Sequence, residues 1–183
     1  MRSTLSGPNT LPNPGARTES LQALAGILFP QGTSDAPPAI KRPDGFTGDH
    51  GESLGTYMPF SSAAGYAIVK RGVPSRSLLP FGEYLGLGQG AVADCLGFDR
   101  ATARRKVTQG KPLPIHAVES MLKLLELAHL AQDTFESPEV AFAWLRRGHP
   151  MQDDEAPLDW SRSAYGSERV KEILLALKFG GTV

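Results

Sequence analysis

An all-helical fold is predicted by three observations along this 183-residue sequence. From Ser62 onward, apolar residues recur at the three- and four-residue spacing of one helix face. Glycine and proline close each such stretch within a few turns. No segment sustains the period-two alternation of a half-buried strand. The length fits one domain or two small ones, since domains typically run about 100 to 150 residues. Hydrophobic residues make up 40% and charged residues 21%, which permits a core with little to spare.

The chain divides by character into three stretches. Residues 1–61 form a Pro/Gly-rich extension holding eight of the fifteen prolines. The interruptions leave room for one short helix near 20–29, with Leu21, Leu24, Ala25 and Leu28 on a shared face. Residues 62–114 carry three short helices. Pro74 is placed to open the first at N1, with Leu78, Leu79, Phe81 and Leu85 as its apolar positions, before Gly86 and Gly88 stop it. The second runs from Gln89 to Leu96 and the third from Arg100 to about Thr108, with the turn at Gly97. Gly110 and Pro112 close the group. Residues 115–183 begin with a long helix, Ile115 to Phe135, apolar on most of its surface. Such a helix has to be covered on several sides by its own domain, with a second copy as a further candidate cover.

Ser137-Pro138-Glu139 is a strong helix start, combining an N-cap hydroxyl, Pro at N1 and an acid near the positive end of the dipole. That helix is expected to turn Val140, Ala141, Trp144 and Leu145 inward and to end at Gly148. An acidic loop, Asp153-Asp154-Glu155, follows. Ser163 or Ser167 then caps a last helix with Val170, Ile173, Leu174 and Leu177 inside, and Phe179 to Val183 finishes the chain as a short tail.

Zero net charge conceals an uneven distribution. Residues 70–118 hold eight basic and three acidic side chains, whereas residues from 119 onward hold seven basic and eleven acidic. A basic centre beside an acidic end points to one segment that meets polyanions and another that does not. The single cysteine, Cys95, rules out an intrachain disulfide and reads as a small buried hydrophobe, so a reducing compartment, the cytoplasm, is expected. The first apolar run, Ala23 to Phe29, is too short for a membrane span and too late for a signal-peptide core. His50, His116, His129 and His149 show no metal-ligand spacing, the acidic triplet has no ligating partner at a second fixed distance, and no nucleophile elbow or phosphate loop occurs. No metal, cofactor or catalytic residue is assigned, and enzyme activity is not expected.

The most informative spacing is Gln89-x3-Ala93-x3-Gly97-Phe98-Asp99-x2-Thr102-Ala103-x3-Val107. Each position has a steric reason in a helix-turn-helix. Ala93 is small where two helices cross, Gly97 takes the positive φ of the turn, Phe98 plugs the core beneath it, and Asp99 caps the next helix. Ala103 and Val107 are expected to hold that helix against the core, leaving Arg100, Arg104 and Arg105 nearer the outside. An α-helix fits the major groove, where arginine reads guanine with two hydrogen bonds, so these three are candidates for base or phosphate contact. Lys106 and Lys111 are candidates for phosphate contact. Proteins of this kind usually read paired half-sites, so a homodimer is expected, with helix 115–135 as its seam.

From about Ile68 onward the chain resembles the Xre/MbcA/ParS antitoxins, partners of RES-domain toxins. The resemblance rests on Gly72-Val73-Pro74, Tyr84-Leu85-Gly86-Leu87, Ala93-x3-Gly97-x4-Thr102-x2-Arg105, Ala128-x6-Phe135, Ala141-x2-Trp144-Leu145, Pro157-Leu158 and Gly166-x3-Val170-x3-Leu174, ending at Phe179-Gly180. It implies an Xre-like helix-turn-helix core and a small helical toxin-binding domain whose final segment enters the toxin's NAD-binding cleft. Lys178, Phe179, Gly180 and Gly181 would then lie at or near the blocked site. It further implies that the partner consumes NAD or ADP-ribosylates a target, and that the antitoxin itself performs no chemistry. Where the family usually has Asn-Pro and a Gly-rich turn, this chain has His149-Pro150 and then Gln152-Asp153-Asp154-Glu155; residues 1–60 have no counterpart. The leading expectation is an antitoxin that represses its own operon. The alternatives are a stand-alone Xre-like regulator and a binding module whose helix-turn-helix no longer touches DNA.

Overall fold

The computed structural model describes residues 14–30, 60–150 and 154–180, and among these every regular element is helical. The order is α1 (Pro14–Leu28), α2 (Ser62–Arg71), a 3-10 turn (Ser75–Ser77), α3 (Leu78–Leu85), α4 (Gln89–Cys95), α5 (Arg100–Thr108), α6 (Ile115–Phe135), α7 (Pro138–Arg146), α8 (Pro157–Trp160) and α9 (Ala164–Phe179). None of the described helices is long and apolar enough to cross a membrane.

The packing is organised around α6. Ala117, Val118, Met121, Leu122, Leu124, Leu125, Leu127, Ala128 and Ala131 are all buried, covered mainly by α2, α7 and α9. The predicted cover on several sides is thus supplied within one chain. Of the apolar surface that suggested α6 as a dimer seam, most is covered by its own chain, and Ile115 at its start remains exposed.

Local chemistry accounts for the boundaries. Ser61, Ser137 and Ser163 accept hydrogen bonds from the N–H groups of Ala64, Val140 and Gly166 and so cap α2, α7 and α9. Ser163 rather than Ser167 therefore starts the last helix; Ser167 is buried and donates to the Ser161 carbonyl at 3.0 Å, tying α9 to α8. At the ends of α3, α4 and α5, Gly86, Gly97 and Gly110 each adopt positive φ. In each case the glycine N–H bonds three residues back and the next N–H five residues back, the Schellman arrangement that satisfies orphan carbonyls.

The expected short helix near 20–29 is longer, Pro14–Leu28, and its Leu21, Leu24 and Leu28 are buried. It packs on α3, and the Arg71 guanidinium donates to the Leu28 carbonyl at its end. One hydrophobic cluster extends from Leu21 to Leu174, so all three sequence stretches contribute to a common core. Arg17 lies within it. Its guanidinium is 4.5 Å from the centre of the Phe142 ring, which meets Tyr84 edge-on at 5.2 Å. Gln132 donates to the Tyr84 hydroxyl at 2.8 Å, and burial pushes that phenol up to about 12.

Several expected orientations are corrected. Pro74 does not open a helix at N1; it is extended, forms a single bridge with Pro112, and leads into the 3-10 turn before α3 begins. Leu79 is exposed because it shares a face with exposed Glu83, whereas Leu78, Phe81 and Leu85 point inward. Val140 is exposed because the buried seam of α7 is Ala141, Phe142 and Leu145, with Trp144 half-buried beside it. Leu177 is exposed, one turn beyond Leu174, the last buried residue of α9. Two ends also shift: α4 stops at Cys95 and α7 at Arg146, ahead of the expected Leu96 and Gly148.

If α1 is part of the core, Leu24→Ala costs about 2–5 kcal/mol, in the same range as Leu124→Ala, while Leu79→Ala stays within roughly 0.5 kcal/mol of the parent. Denaturant unfolding of the full chain checks this. A Leu24→Ala loss below roughly 0.5 kcal/mol would show that α1 is only loosely attached.

Candidate functional site

The basic residues singled out by the sequence cluster on the α4–α5 pair. Helix α4 is held by Val92, Ala93 and Cys95, all buried, with Leu96 just beyond it. Gly97, at φ 72°, reverses the chain; its N–H bonds the Asp94 carbonyl at 3.2 Å, and the Phe98 N–H bonds the Ala93 carbonyl at 3.1 Å. Phe98 is half-buried against the core, and Asp99 then caps α5 by accepting from the N–H groups of Ala101 (2.8 Å) and Thr102 (2.9 Å). The Thr102 hydroxyl, with these two backbone groups, holds the Asp99 carboxyl below its usual range.

Helix α5 is anchored differently from expectation. Ala103 is buried, but Val107 is 48% exposed and does not face the core. The lower end of α5 is fixed by polar backbone contacts. The buried Ser75 hydroxyl donates to the Lys106 carbonyl at 3.0 Å, the Ser75 N–H bonds the Lys111 carbonyl at 3.3 Å, and the Leu113 N–H bonds the Val73 carbonyl at 2.8 Å. These contacts clip the chain after α5 to the chain before α3. Sequence reasoning missed Ser75, which lies 31 residues from its partner.

Arg100, Arg104 and Arg105 are all exposed. Arg104 and Arg105 form no ion pair among the described residues. Arg100, in contrast, is paired with Asp94, whose hydrogen bond raises the guanidinium's already high pKa. Lys106 is half-buried as a residue and its ammonium donates to the Pro112 carbonyl at 3.1 Å, whereas Lys111 is exposed in the following turn. Cys95 is 2% exposed, and burial pushes its thiol up to about 11, so it stays protonated near neutrality. Among the described residues no group of His, Cys, Asp and Glu is arranged to hold a metal ion; His50 and Asp153 lie outside them.

The second candidate region is the end of α9. Lys178 and Phe179 belong to the last helical turn; Phe179 is not in a tail as expected, because α9 continues until Gly180 takes the left-handed conformation at its C-cap. Gly181 lies outside the described residues. The Lys178 ammonium pairs with Asp133 on α6 and sits 5.6 Å from the Phe179 ring centre. Phe179 is 76% exposed, and Leu175 and Leu177 are exposed in the same two turns. The two regions stand on separate packing units: α9 on α6 and α8, α5 on α4 and the 3-10 turn.

No protein-family model matches the chain, and no curated protein matches it.

The lowered pKa of Asp99 fixes a pH dependence. A group whose folded pKa lies below its unfolded value contributes stability that is present above the unfolded pKa and is lost as pH falls through the folded one. Asp99→Ala should therefore lower the thermal midpoint at neutral pH, with the gap to the parent narrowing below roughly pH 4, the ordinary Asp value. A gap that stays constant across this range would mean that the charge on the cap is irrelevant.

Proposed function

We propose that the chain is the antitoxin of a type II toxin–antitoxin pair, binding DNA through α4 and α5 and a RES-domain toxin through the end of α9. The observation that carries this reading is the α4–α5 unit itself. Two short helices are joined by a glycine at positive φ, the second is capped by an aspartate, and Arg104 and Arg105 stand exposed on it with no ion pair among the described residues. These features support reading the pair as an Xre-like helix-turn-helix, whose second helix would enter the major groove. The exposed guanidinium groups of α5 provide the charge that phosphates attract and the paired donors that guanine accepts.

For the toxin-facing end, support comes from the exposed Leu175, Leu177 and Phe179. A large aromatic ring standing out from a helix terminus is the kind of anchor that dominates interfaces. The resemblance to the Xre/MbcA/ParS antitoxins adds the identity of the partner, an NAD-using RES-domain protein whose cleft this segment would fill. Neutralisation by occlusion requires no chemistry from the antitoxin, so the chain acts as a binding protein and not as an enzyme. A DNA-binding homodimer would place two such units on paired half-sites.

The two halves of the proposal separate cleanly by mutation. Co-expression with the neighbouring RES-like gene, scored by growth and co-purification, is combined with a mobility-shift measurement on the upstream DNA. Phe179→Ala should weaken toxin capture by about 30-fold, the equivalent of ~2 kcal/mol, and leave the mobility shift intact. Joint replacement of Arg104 and Arg105 by Ala should abolish the shift and leave growth rescue intact. If the intact chain neither rescues growth nor co-purifies, the antitoxin half fails and a stand-alone regulator remains. If the arginine variant shifts the DNA normally, the DNA-binding half fails.

A further inference from the structure

The Arg100 side chain is seated in a way that Arg104 and Arg105 are not. Gly90 and Asp94, four residues apart, share the face of α4 that meets the first residue of α5. Asp94 receives the Arg100 Nε at 3.4 Å on one carboxylate oxygen and Nη2 on the other, a two-point fork that fixes the guanidinium plane. Gly90 provides the floor. A Cβ at that position would lie 2.9 Å from the Arg100 Cζ and 3.0 Å from both Nε and Nη1, so any side chain there would push the guanidinium out of its seat.

This seat is poorly explained by stability. An ion pair whose arginine is 63% exposed contributes little to folding. The helix dipole also disfavours a cation in the first turn, where Arg100 stands. The fork does have a chemical consequence. Guanidinium carries five N–H donors in a plane; Asp94 takes the Nε/Nη2 edge of a side chain that is 63% exposed, which leaves the two parallel donors of the Nη1/Nη2 edge outside the fork. Two parallel donors are what the O6 and N7 acceptors of guanine require in the major groove.

We infer that Gly90 and Asp94 are positioning residues that hold Arg100 as a guanine reader, while Arg104 and Arg105 act on the phosphate backbone. The inference rests on the DNA-binding reading above and divides the labour among its arginines. The sequence offered no direct sign of it, since Asp94 and Arg100 lie six apart and on different helices.

The test is selection of bound sequences from a pool of randomised duplex DNA by the full chain, followed by salt titration on the selected duplex. The parent should enrich a motif with a guanine at one fixed position in each half-site. Arg100→Ala and Asp94→Asn should lose the preference at that position alone, roughly 5- to 150-fold in discrimination, with an unchanged salt slope. Gly90→Ala should do the same without altering any charge. Arg105→Ala should keep the motif and reduce the salt slope by about one. Thermal midpoints near the parent's would confirm that all variants are folded. An unchanged motif in Arg100→Ala, or an Asp94→Asn variant that binds every sequence more tightly by the same factor, would overturn the positioning role while leaving DNA binding in place. A parent that retains no duplex at all would instead remove the DNA-binding reading, and this inference with it.

Discussion

Burial of the α6 surface is the constraint on which the other elements depend. A 21-residue helix with apolar side chains on several sides is stable in water only when each of those sides is covered. Each large side chain removed from water contributes roughly 1.5–3 kcal/mol. The chain meets this demand locally, with α7 and α9 returning along α6 after short connections and α2 approaching from the N-terminal side. Once those faces are filled, the last turn of α9 is left with Leu177 and Phe179 exposed and Lys178 paired with Asp133 of α6.

The α4–α5 pair depends on the same core but is fixed by other forces. Two glycine-terminated helix ends, one aspartate cap and a set of backbone clips through Ser75 and Leu113 position a short, highly charged helix that buries little of its own surface. This arrangement leaves its outer side free for polar contacts. Its terminal arginine is oriented by α4, whereas the two arginines one turn further along stand exposed and form no ion pair among the described residues.

Element boundaries were legible wherever the backbone demands a particular residue. Gly97, Asp99, Gly110 and Ser137 mark α4, α5 and α7 because positive φ and N-cap acceptance tolerate few alternatives. α6 was legible from its apolar density alone. The start of α1 was not, because Pro14 fits the first turn of a helix as readily as it breaks one. Four-residue α8 is too short to display a period. Leu79, Val140 and Leu177 misled because apolar identity does not report which neighbour lies opposite. Of the candidate DNA-facing residues, the sequence named the arginines but could not distinguish paired Arg100 from unpaired Arg104 and Arg105. The deciding contacts, Asp94 and Gly90, come from a different helix. The same limit concealed that Phe179 still belongs to α9, since Gly180 alone marks where it stops.

The central claim is that α5 is the surface through which this chain meets DNA. Hydrogen–deuterium exchange of the full chain, alone and with a duplex from the region upstream of its own gene, addresses it most directly. The account predicts slowed exchange across residues 97–108 in the presence of the duplex, with the end of α9 unchanged. Binding of the duplex with exchange in α5 unaltered would contradict it.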